Sequence, residues 1–144
     1  MVRIRIKINS LKGKPPLEVS SLLNTGFGTE EPEEPEELVP VKVAEKLSFW
    51  PELPEGAMVK AYETAGGIAR MYRISKAIEI QAATGDKISK PVKCSLVISE
   101  IENEVLLSDR TIEELNIIIE SPAKGLWKFR DDVELRNSVE PQYW

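Results

Sequence analysis

The chain has 144 residues, 24 acidic against 19 basic side chains, a net charge of −5 and 42% hydrophobic residues. That length fits one domain with enough apolar content for a core, and the lack of a basic stripe argues against nucleic acid as a partner. With no histidine and a single cysteine, Ser-His and Cys-His nucleophilic pairs, the usual zinc sites and an intrachain disulfide are all excluded.

Val2, Ile4, Ile6 and Ile8 alternate with Arg3, Arg5 and Lys7, the period of a half-buried strand. Lys12 to Pro16 is turn chemistry, and Leu17 to Leu23 returns as a second strand that delivers Asn24. Gly26 and Gly28 follow and permit a tight turn. Residues 29–37 are acidic and proline-punctuated, which reads as a solvated, mobile loop or as a charged rim that repels acidic peptides. Pro40 to Leu47 reads as a short helix with proline in its first turn.

Met58 to Tyr62 and Arg70 to Ile74 are two strands, and Glu63 to Ala69, with Gly66-Gly67, is the hairpin tip between them. A second hairpin turns at Thr84 to Lys87, and Ile88 to Ser99 is strand-like. Cys94 within it reads as a core thiol. Glu104 to Leu107 is a short apolar strand, followed by a helix over Asp109 to Leu115 capped by Ser108 or Asp109. Ile117 to Ile119 and Leu126 to Phe129 are the last strands. The expected organisation is a domain over residues 1–130 and a polar C-terminal tail over 131–144. Many short strands with one or two short helices predict a mostly-β barrel. No apolar run approaches the roughly 18 residues of a membrane span, and the first residues alternate instead of forming the apolar block of a signal peptide. A cytoplasmic chain without a membrane partner is therefore expected.

Leu22-Leu23-Asn24-Thr25-Gly26-Phe27, then Leu38-Val39-Pro40 with Ala44-Glu45-Lys46-Leu47, then Ala65-Gly66-Gly67, then Val105-Leu106-Leu107-Ser108 with Ile112 to Ile117, occur in that order. This succession resembles the retropepsin-like aspartic peptidases, most closely their small single-domain archaeal members, over residues 2 to 130. The resemblance implies a closed barrel paired as a two-fold homodimer. It implies endopeptidase action on an extended peptide or protein substrate by dyad-activated water, and no metal or organic cofactor. Asn24 stands where the catalytic Asp belongs. Thr25 would bond across the two-fold axis, and Gly26 would let backbone N–H groups approach the carboxylates. Phe27, Gly28, Ala65, Gly66, Gly67 and Ile68 would border the substrate, with the glycine pair in a flap. Ser108 and Asp109 stand where the family carries Gly and a polar residue supporting the site, and the ion pair that some members build there has neither partner in this chain.

The turn occurs once, so two chains are needed to bring two such positions together. Paired carboxylates share one proton: the ionised one takes a proton from water while the neutral one donates to the scissile carbonyl. Asn24 keeps the shape and lacks the basic oxygen. It reads as an engineered substitution that prevents self-cleavage, as a natural residue of a peptide-binding or structural dimer, or as a turn asparagine outside any such site. Glu63, at the flap edge, and Asp109, as a helix cap, read as structural.

Overall fold

The computed structural model describes residues 1–23 and 34–144. The first strand, β1 (Arg3–Ser10), follows the predicted alternation: Ile4, Ile6 and Ile8 are wholly buried and the basic residues between them face outward. Each such isoleucine contributes about 1.5–3 kcal/mol of apolar burial. It pairs antiparallel with β2 (Leu17–Leu23). After β3 (Glu36–Pro40) comes the short helix α1 (Val41–Lys46), which starts directly after Pro40 and buries Val43 and Ala44. The hairpin strands are β4 (Met58–Thr64) and β5 (Gly67–Ala82). Then follow β6 (Val92–Ser99), β7 (Val105–Leu107), α2 (Asp109–Glu114), β8 (Ile117–Ser121), β9 (Leu126–Phe129) and β10 (Arg136–Asn137).

The long sheet runs β1-β2-β7-β3-β6-β5-β4, and β1 also pairs with β5, which closes six strands into a barrel with β4 on the outside of β5. The length of β5 makes the closure possible. Its first half pairs with β4; a register shift between Ile74 and Ile78, with Lys76 at φ 48°, bends the strand so that its second half reaches β1. Two contacts are parallel, β2 with β7 and β3 with β6. A three-stranded sheet, β10-β9-β8, adds Trp127 and Phe129 to the core. Cys94 is buried with its Sγ near the Val92 carbonyl, as a core thiol should be. Among the described residues, no helix is long and apolar enough to cross a membrane.

Two expectations need correction. Residues 36 and 37, read as the end of a solvated acidic loop, are the first residues of β3, and both glutamates are fully buried. The strand read from Ile88 begins at Val92: Ser89 instead holds the end of β5, accepting at Oγ from the Ala82 N–H at 2.8 Å and donating its own N–H to the Ala82 carbonyl at 2.9 Å. The segment after residue 130 does not hang free. The Val139 N–H donates to the Arg3 carbonyl, Gln142 Oε1 accepts from the Ser20 N–H, and the Trp144 N–H donates to the Asn103 carbonyl at 2.8 Å. Arg136 donates to Asp86 and Asp132, at 2.7 Å each, and covers the Phe129 ring at 5.1 Å.

Candidate functional site

Two rows of side chains run across the strands at the C-terminal end of β2. Leu22, Leu106, Leu38 and Val97 lie abreast on β2, β7, β3 and β6, on the outer face of the barrel. Leu23, Leu107, Glu37 and Leu96 form the adjacent row, directed into the core. The alternation of β-strands produces this division, because a one-residue step moves a side chain to the other face. The outer row is an apolar floor beside the end of β2, where Asn24 follows in the chain. Asn24, Thr25, Gly26, Phe27 and Gly28 themselves lie outside the described residues.

The β4–β5 hairpin folds over this floor. Tyr62 and Met71 are buried against Leu38, Val97 and Leu106, with Leu22 and Ala69 at the margin. The tip is a two-residue turn at Ala65-Gly66 between Thr64 and Gly67. Gly67 has φ 111°, a backbone conformation that side chains with a Cβ rarely adopt, and its carbonyl accepts from Thr64 Oγ1 at 2.6 Å. Ala65, Gly66, Gly67 and Ile68 are all exposed. Glu63 is exposed at the hairpin edge.

Glu36 joins the hairpin to the floor. Its Oε2 accepts from the Tyr62 hydroxyl at 2.8 Å and from Arg73 Nε at 3.2 Å, and Arg73 also reaches Glu34 at 2.5 Å. Burial first, then the Glu36 charge, hold the Tyr62 phenol far above its ordinary pKa, so it remains a donor. The Glu36 main chain is fixed by α2. Its N–H donates to Ser108 Oγ at 3.0 Å, and its carbonyl accepts from the Ser108 N–H and from Thr111 Oγ1. Ser108 is thus the N-cap of α2 and is wholly buried, whereas Asp109 is exposed in the first helical turn. Asp109 borders an open cleft of about 310 Å³ with Ile112, Glu113, Ile117 and Arg130.

Around Ser108 and Asp109 the structure places a serine cap, Thr111 and a glutamate that also binds the hairpin. Glu36, Tyr62 and Arg73 were not singled out from sequence. A usable signal was present, since Glu36-Glu37 runs without a break into the apolar Leu38-Val39.

Glu37 is the polar member of the inner row. Neither carboxyl oxygen has a hydrogen-bond partner among the described residues, and burial alone raises its pKa well above the ordinary carboxyl range. Burial, with the nearby Glu37 charge second, raises the Cys94 thiol far out of the thiolate range, so Cys94 is a poor nucleophile. Among the described residues, no group of three or more His, Cys, Asp or Glu side chains is placed to hold a metal ion.

The chain matches no model of a known protein family, and no curated protein matches its sequence.

Proposed function

We propose that this chain is a retropepsin-like domain that holds extended peptides between the β4–β5 hairpin and the Leu22/Leu106/Leu38/Val97 floor. Peptide hydrolysis on this scaffold requires a carboxylate at position 24, contributed by each of two chains. The supporting observation is the strand arrangement: β2 lies parallel to β7, β3 lies antiparallel on the other side of β7, and the hairpin crosses the apolar row beside the end of β2. An extended peptide laid under such a hairpin meets main-chain groups and alternate apolar positions, the recognition mode of strand addition.

In this reading two copies meet at their 24–26 turns, because a single turn supplies half of a dyad. With Asn24 in both copies there is no oxygen basic enough to deprotonate water. The loss of a general base alone lowers the rate by on the order of 10²–10⁴-fold, and the chain as written binds peptide without turnover. The test is Asn24→Asp incubated with a denatured protein substrate. Cleavage by the variant and none by the parent chain is expected. A folded, dimeric variant that cleaves nothing from about pH 3 to pH 7 would leave the peptide-binding role alone standing.

A further inference from the structure

We infer that the groove under the hairpin selects peptides by a lysine or arginine side chain, and that Glu36 is the group that reads it; this rests on the peptide-binding reading above. Glu36 lies two residues before Leu38 on the same face of β3, beside the outer apolar row. Its Oε2 is engaged by Tyr62 and Arg73, but its Oε1 is buried with no hydrogen-bond partner among the described residues. Glu34 and Glu36 both pair with Arg73.

A buried acceptor without a donor is unfavourable, and an incoming cation is the group that relieves it most, through a charge-assisted hydrogen bond. Lysine and arginine lay their methylene stems on apolar surface and keep the charge at the end. That shape matches a floor of Leu22, Leu106, Leu38 and Val97 with a carboxylate at its edge. An aliphatic side chain would fill the floor and leave Oε1 unpartnered, while an acidic one would meet a like charge. Discrimination then comes from the group left unsatisfied with the wrong side chain. The hairpin covers the floor in this structure, so the peptide enters as the hairpin lifts.

The experiment uses the unmodified chain and fluorescence polarisation with labelled extended peptides. These carry lysine, arginine, norleucine or glutamate at one position, scanned along the peptide. At one position lysine or arginine should bind about tenfold tighter than norleucine, the scale of one charge-assisted bond, and glutamate should bind weakest. Glu36→Gln should bring the lysine peptide to within about twofold of norleucine. Carbodiimide coupling of the lysine peptide to the unmodified chain, followed by mass spectrometry, tests the contact without a variant: the new amide should be on Glu36. Peptide binding without a cation preference, a preference that survives Glu36→Gln, or attachment only at other carboxylates overturns the inference. Failure of every peptide to bind overturns the peptide-binding reading, and the inference with it.

Discussion

Ser108 holds both main-chain polar groups of Glu36. The Ser108 N–H donates to the Glu36 carbonyl at 3.1 Å, and Ser108 Oγ accepts from the Glu36 N–H at 3.0 Å. The same oxygen caps α2 by accepting from the Thr111 N–H. Ser108→Ala should therefore cost more than an ordinary cap, because it also leaves the buried Glu36 N–H without an acceptor. The expected loss is about 2–3 kcal/mol, the sum of a cap and an orphaned buried donor. Chemical denaturation of parent and variant measures it. A loss no larger than that of an exposed serine substitution would show that this junction carries little stability.

Glu37 makes stability depend on pH in a specific direction. Its folded pKa is raised well above that of an ordinary glutamate, so the folded state binds the proton more tightly than the unfolded state does. Its contribution is then most favourable at or below pH 4.5 and is lost as pH rises toward the folded pKa. Glu37→Leu, which removes an unpartnered buried carboxyl at similar volume, should stabilise the protein by about 1–3 kcal/mol at pH 7. It should also flatten the decline in urea midpoint between about pH 4 and pH 8. A steeper decline in the variant would contradict the assignment.

The hairpin tip separates two glycines that look alike in the sequence. A Cβ on Gly66 would meet only Thr64 Oγ1, at 3.9 Å, an ordinary contact. A Cβ on Gly67 would meet nothing within 4 Å, but φ is 111° there, so the penalty is conformational. Gly66→Ala should shift stability by less than about 0.5 kcal/mol, and Gly67→Ala should cost about 1–3 kcal/mol. Gly67→Val should in addition weaken peptide binding if the hairpin must lift. Thermal melts of the two alanine variants decide the first point: equal losses would mean that the turn relaxes to accept a side chain at Gly67.

Truncation after Arg130 removes β10 and the segment that follows it. The Arg3 carbonyl and the Ser20 N–H would lose their partners, and Trp127 would lose the cover of Arg136. At about 1 kcal/mol per hydrogen bond, plus the packing of Trp144 against the core, the expected loss is at least about 3 kcal/mol. Unchanged denaturant midpoints would mean that these residues are a tail in the energetic sense.

Assembly and chemistry can be checked together on Asn24→Asp. Under the proposed function the protein sediments as a homodimer at micromolar concentration, and the variant cleaves peptide bonds with an acidic optimum. The reason is that one proton must stay on the paired carboxylates, and rising pH removes it. A statine-like transition-state mimic should block cleavage. A protein that sediments only as a monomer at that concentration argues against a shared site.

The alternation of Val2, Ile4, Ile6 and Ile8, a helix cap at Ser108 or Asp109, a hairpin tip within Glu63 to Ala69 and a turn at Thr84 to Lys87 were legible in the chain. Each is a local rule: side-chain period, an oxygen at the start of a helix, residues that tolerate a tight turn. These determined a mostly-β fold with two short helices. What neighbours what was not local. The pairing of Leu23 with Leu107 spans most of the chain, and no periodicity in either strand specifies a parallel partner. Nor does a glutamate reveal its surroundings. Glu36 and Glu37 sit in a run of six glutamates, and the composition of that run is that of a solvated loop. Only the barrel decided otherwise: β6 and β7 close over both flanks of β3, sending Glu36 under the hairpin and Glu37 into the core. The contacts of the C-terminal segment were not legible for the same reason, since its partners Arg3, Ser20 and Asn103 are brought beside it by the fold rather than by the sequence around it.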